Sequence, residues 1–139
     1  MTPHPRKSKP VSVIPDSHRD LLERPLYAHL ATIRPDGTPQ VNPMWFSWDG
    51  ELVYFTNTTV RQKYKNVTAH PEVAFSVNDP DQPYRYLEVR GVLERIDPDP
   101  DGTFFGALAD RYGLAMDGPP GDVAHRVVYA VRPTGTSHQ

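Results

Sequence analysis

The sequence predicts a mainly β domain, a six-stranded antiparallel barrel with short peripheral helices, and three observations carry that expectation. Its 139 residues, 37% of them hydrophobic and 10% aromatic, suffice for one modest core. The 16 prolines and 9 glycines punctuate the chain at a density that suits short strands and turns better than a helical bundle. Between those signals, short apolar runs alternate at the strand period and switch to the helical period only briefly.

Residues 1–15, rich in proline and cations, are expected to form a flexible arm, and the domain to occupy 16–139. Asp16 and Ser17 can cap a short amphipathic helix carrying Leu21, Leu22 and Leu26, which ends near Pro25. Residues 27–33 form the first strand, and Arg34-Pro35-Asp36-Gly37 is a turn, with proline presetting one backbone angle and glycine accepting a positive one. Residues 40–48 form the second strand, Asp49-Gly50 signals a hairpin, and residues 52–56 return as the third. Thr59-Val60-Arg61-Gln62 has the capping-box pattern of a helix start. Val60, Tyr64 and Val67 would be that helix's buried face, and it stops near His70-Pro71. Residues 72–78 alternate as a fourth strand. Residues 84–96 are long enough for a bent fifth, with Gly91 at a bulge or close approach. A break at 97–102, a helix over 103–112, a glycine and proline loop over 113–121 and a sixth strand over 126–131 complete the domain.

Several chemistries are excluded. The absence of cysteine removes a disulfide framework, a thiolate zinc site and a thiol nucleophile. A formal charge of −2 makes the whole chain a poor match for a polyanion, so no nucleic-acid partner is expected and any anion site must be local. Nothing approaches a membrane span, and no apolar segment follows the charges of the first residues, so the expected setting is the cytoplasm with no membrane partner. Asp97, Asp99, Asp101 and Gly102 imitate half a calcium loop. The twelfth position is Leu108 instead of a bidentate glutamate, so an acidic turn capping the next helix is the better reading. The 6 histidines lack metal-ligand spacing, and no serine-hydrolase elbow or glycine-rich phosphate loop occurs.

What remains is Phe55-Thr56-Asn57-Thr58-Thr59-Val60-Arg61-Gln62-Lys63-Tyr64-Lys65-Asn66, joining a strand end to a helix start with cations in the first turns. Cations there oppose the helix dipole. A phosphate docked on the free amides, the hydroxyls of Thr56 and Thr59, and Arg61 or Lys63 would resolve the conflict. From charge alone, a solvated basic helix face is the simpler alternative. Helical spacing puts Arg61 and Lys65 on one face and Lys63 on another, so the three cannot share a single phosphate.

The order of elements, together with Leu30-Ala31-Thr32-Ile33-Arg34-Pro35-Asp36-Gly37-Thr38-Pro39-Gln40-Val41, resembles the first hairpin of the split-barrel flavin-binding superfamily typified by pyridoxamine 5'-phosphate oxidase. Thr56-Asn57 with Arg61 four residues past the asparagine is similar to that superfamily's phosphate signature. Arg85-Tyr86-Leu87-Glu88-Val89-Arg90-Gly91-Val92-Leu93-Glu94 looks like its long strand, which carries a cofactor-contacting residue from the partner subunit. Arg61-x-Lys63-x-Lys65-Asn66 followed by His70-Pro71 most resembles the actinobacterial branch that uses the deazaflavin F420. The oxidase branch has Ser-Arg-Lys in a row where this chain reads Val60-Arg61-Gln62, which disfavours vitamin B6 oxidase activity and FMN relative to F420.

The resemblance implies an FMN-binding-type split barrel that forms a homodimer with the cofactor at the subunit interface. Arg61 and Lys63 would hold the phosphate, and the ring would lie against Asn42, Pro43, Met44 and Trp45. Thr56, Asn57, Lys65 and Tyr86 complete the implied cofactor set, while Tyr86 and Arg126 are candidates to reach a substrate. Read from the residues alone, Met44, Trp45, Phe46 and Trp48 put large apolar groups on both faces of one strand, which suits either a ring site or plain core with a subunit interface. The implied activity is hydride transfer from reduced F420 to a small conjugated or unsaturated acceptor. An FMN enzyme of the same fold and a non-catalytic flavin or deazaflavin carrier are the alternatives. Lys65, Arg34 or the basic arm (Arg6, Lys7, Lys9) would receive the oligoglutamate tail of F420.

Overall fold

The computed structural model describes residues 12–139, so most of the expected arm, with Arg6, Lys7 and Lys9, lies outside the described residues. Ile14 is already buried in the core, ahead of the boundary expected at residue 16. A short 3-10 turn over Asp16–His18 leads into α1 (Asp20–Glu23), whose Leu21 and Leu22 are fully buried.

There are seven strands where six were expected: β1 (Ala28–Ile33), β2 (Pro39–Met44), β3 (Phe46–Trp48), β4 (Val53–Thr58), β5 (Glu72–Asp79), β6 (Gln82–Pro98) and β7 (Arg126–His138). All pair antiparallel, in the order β2-β1-β5-β6-β7-β4-β3. The extra strand arises because residues 40–48 do not run straight. β2 pairs with β1, β3 pairs with β4 at the opposite edge of the sheet, and the chain changes edge at Trp45. The two edges of the curled sheet are therefore consecutive in sequence. The corner follows Pro43, a residue that sheets tolerate at an edge because it has no N–H to donate. Gly50, with φ 96°, makes the β3–β4 turn one residue later than the Asp49-Gly50 pair suggested, and Asp49 caps it by accepting from the Glu51 and Leu52 amides.

The concave side is filled by Leu30, Phe46, Phe55, Phe75, Leu87, Val89 and Tyr129. Phe55 meets Phe75 edge-on at 5.4 Å, with Phe46 against both. Burying each ring contributes about 1.5–3 kcal/mol. β6 serves both halves of the sheet, and its register against β7 shifts at Arg90/Gly91 and at Leu93/Arg95, which gives the bend expected near Gly91. A Cβ at Gly91 would stand 2.7 Å from both the Arg132 carbonyl oxygen and Val131 Cγ1, so only glycine lets the strands approach there.

Two helices complete the domain, α2 (Gln62–Ala69) and α3 (Thr103–Arg111). Asp99, buried at the end of β6, accepts from the Phe104 and Phe105 amides, so the acidic turn caps α3. Among the described residues no cluster of metal-ligating side chains forms. Arg111 anchors α3 by donating to the Leu22, Glu23, Arg24 and Phe46 carbonyls. Among the described residues no helix is long and apolar enough to cross a membrane.

Candidate functional site

The start of α2 differs from the expected capping box. Helical geometry begins at Gln62, with Arg61 extended at the cap position (φ −90°, ψ 157°) and no side-chain cap. The Thr59 amide donates to the His125 carbonyl, and Val60 stays 68% exposed, outside the helix. The buried face is Lys63, Asn66 and Val67 in place of Val60, Tyr64 and Val67.

That face docks on the first hairpin through two polar rungs. Asn66, fully buried, donates to Thr32 Oγ1 at 3.0 Å and to Gln40 Oε1 at 2.9 Å, and Lys63 Nζ donates to Asn42 Oδ1 at 3.2 Å. Lys63 and Asn66 share a helix face at i, i+3, while Gln40 and Asn42 share a strand face at i, i+2. The two periodicities meet in register, which aims Lys63 at the edge of the sheet.

The result is a cleft of about 380 Å³. Its walls are Asn42, Pro43, Met44 and Trp45 from β2 and the corner, Thr56 and Asn57 from β4, Arg61 and Lys63, and also Tyr27 and Arg126. Eight of the expected cofactor residues thus converge. Lys65 and Tyr86 do not line the cleft: Lys65 lies on the exposed face of α2, and Tyr86 sits on β6 opposite Asn78. Arg61 precedes the helix, so the helical spacing that would set it on a different face from Lys63 does not apply, and both residues line the cleft.

Charge in the cleft is unbalanced. Asp122 holds Arg126 by two hydrogen bonds of 2.9 and 3.0 Å, and those bonds, with Arg61's charge as a smaller influence, keep its carboxyl below the usual range. Arg126 also donates to Thr56 Oγ1 at 3.3 Å and covers the Phe105 ring at 4.6 Å. Among the described residues, no carboxylate forms a salt bridge with Arg61 or Lys63. Lys63 is only 8% exposed, and burial first, then the Arg61 charge, lowers its pKa from the ordinary 10.5. A buried ammonium whose protein partner is one amide oxygen fits an anion in a way that a solvated basic helix face does not.

The opposite wall suits a flat ring. Trp45 stacks on Tyr112 at 5.0 Å with 12° between planes, and Tyr112 is fixed by donating to the Leu26 carbonyl at 2.6 Å and accepting from the Phe46 amide at 3.1 Å. Beneath the cleft, Asn57 donates to the Tyr129 hydroxyl at 3.1 Å, and burial pushes the Tyr129 pKa up to about 12. The donor set and the apolar wall therefore fit a phosphate-bearing ring cofactor. Tyr27 joins the cleft without any signal in the sequence, since a residue just before a strand carries no local sign that it faces a cleft.

The curled seven-stranded antiparallel sheet, closed at a corner beside a cationic cleft, defines a split-barrel domain. The chain belongs to the pyridoxamine 5'-phosphate oxidase family, whose profile matches residues 14–138. It is 62% identical to a structurally characterised protein described as an F420 reductase, with a TM-score of 0.88 over 91% of this chain and 100% of that one. A conserved hypothetical protein from Mycobacterium tuberculosis (24% identity, TM-score 0.70, 95% of this chain and 88% of that one) shares the fold. So does the haem storage protein HutZ from Vibrio cholerae (16% identity, TM-score 0.62, 91% and 94%). A comparison with curated proteins found no match.

Proposed function

We propose that this protein is an F420-dependent oxidoreductase acting on a small conjugated or unsaturated acceptor, and that it works as a homodimer. The carrying observation is the Arg61–Lys63 pair, in salt-bridge contact with no carboxylate among the described residues and beside the Met44–Trp45 wall, in a chain 62% identical to a protein described as an F420 reductase. When bound, reduced F420 would supply a hydride from its C5.

The chain's own residues do the rest. Arg61 and Lys63 hold the phosphate, Thr56 offers a hydroxyl, and Arg126 keeps that hydroxyl oriented while Asp122 offsets its charge. Met44 and Trp45 exclude water from one face of the ring, with Tyr112 bracing the indole. The dimer reading draws support from the outer edge of the barrel, where Val41 and Tyr27 are 62% and 58% exposed beside the cleft. In that assembly Tyr86 reaches the cofactor only from a second copy of the chain, and Lys65 and Arg34 are available to the oligoglutamate tail.

The test is turnover. Chain, reduced F420 and a panel of enones and other conjugated acceptors are mixed, and the return of oxidised-deazaflavin absorbance is followed with acceptor consumption. Stoichiometric loss of both reactants is expected. A chain that binds reduced F420 yet leaves it unoxidised whichever acceptor is added would be a carrier, and one that turns over only with FMN would belong with the flavin enzymes.

A further inference from the structure

Next to the cationic cleft lies a second, of about 520 Å³, that shares Tyr27 and Pro43 with it. Pro25, Leu26 and Pro80 make its other apolar walls, and its polar groups are the His29 imidazole and the Asn78 side-chain amide. These come together through strand register. His29 lies directly across from Pro43 on β2 and from Ser76 on β5, and Asn78, two residues beyond Ser76, shares that face of the sheet.

The chemistry contrasts with that of its neighbour. No lysine, arginine or carboxylate lines this cleft, so no permanently charged side chain favours an anion or a cation there. Proline rings and the Tyr27 ring are stiff, flat and apolar, and the volume suits a small organic molecule. The two polar side chains can each donate a hydrogen bond to an oxygen.

We infer that this cleft binds the acceptor, a neutral, planar, conjugated carbonyl compound, with its oxygen held by His29 and Asn78 and its unsaturated carbon toward Tyr27 and Pro43. The inference rests on the cationic cleft being the cofactor site. Sharing Tyr27 and Pro43 then puts acceptor and cofactor ring side by side, as direct transfer requires.

The full chain without cofactor is titrated with benzylideneacetone, a neutral planar enone, and the Leu26 methyl, His29 imidazole and Asn78 side-chain resonances are followed by NMR. The chain has no cysteine, so no thiol adduct can mimic binding. Saturable shifts at these three residues are expected. Asn78→Trp, an aromatic on a strand that tolerates one, should weaken enone binding about tenfold and leave F420 affinity unchanged. His29→Leu should weaken the enone about threefold to tenfold but not the hydrocarbon 1-phenyl-1-butene. Shifts centred on Arg61 and Lys63, or an enone affinity indifferent to Asn78→Trp, would overturn the assignment. Enone shifts in a chain that does not bind F420 would overturn the acceptor role while leaving a ligand site, and so separate the two failures.

Discussion

The Lys63 ammonium lies 3.2 Å from the Asn42 side-chain oxygen, in a residue only 8% exposed and with no carboxylate in salt-bridge contact among the described residues. Burying a cation this way lowers stability until an anion arrives, and two consequences follow for Lys63.

Lys63→Met should weaken phosphate-bearing ligands about tenfold or more while leaving the unliganded chain as stable or more so. Urea unfolding with and without ligand separates the two effects. A destabilised, ligand-competent variant would show that Lys63 is structural.

The same burial sets a pH dependence. Folded, Lys63 gives up its proton below the ordinary 10.5, so between the lowered value and 10.5 the unfolded chain holds more protons at this position. Stability of the unliganded protein should rise with pH across that window, and affinity for an anion should fall. Lys63→Met should flatten both trends, as read from denaturation midpoints and ligand titrations over the same alkaline range.

Arg61→Ala should cost about 1.5–3 kcal/mol of cofactor affinity, the range for a charge-assisted hydrogen bond, with unchanged thermal stability because the exposed Arg61 side chain caps no helix amide. Calorimetric titration of a folded variant measures it, and unchanged affinity would remove Arg61 from the site.

Asp122→Asn should act in the opposite direction. Its carboxylate occupies Arg126, so removing that charge should tighten anion binding about threefold at low salt, with the gain shrinking as salt is added. Weaker binding would mean that the clamp's main role is to place Arg126 on Thr56.

Gly91→Ala tests the barrel itself. The added methyl would meet backbone at 2.7 Å, so a loss of about 1–3 kcal/mol is expected in denaturant titrations.

Most of this architecture was legible because local signals and the fold agreed. Gly91 inside the long strand pattern of residues 84–96 marked the bend of β6, and the acid-rich turn around Asp99 marked the cap of α3. The misreadings occurred where long-range pairing decided. Residues 40–48 look like one strand, yet their two halves pair at opposite edges of the sheet. β7 runs on to His138 through Pro133 and Gly135, past the end expected at Val131. Beyond Val131 it pairs only with β6, and that free side makes proline tolerable. At the site, Thr56, Asn57, Arg61 and Lys63 were legible as a cluster. The burial of Lys63 was not, since it depends on Asn66 meeting Thr32 and Gln40 across the fold.

The most direct measurement is titration of the cofactor-free protein with oxidised F420 and, separately, with FMN, following tryptophan fluorescence. Trp45 lines the cleft, whereas Trp48 lies under Arg19 at 5.1 Å, so Trp45→Phe identifies the reporting residue. Tight F420 binding, much weaker FMN binding and loss of the Trp45 signal together with binding in Arg61→Ala/Lys63→Met are expected. Binding of neither molecule, or F420 binding indifferent to that double substitution, would contradict the assignment of the cleft.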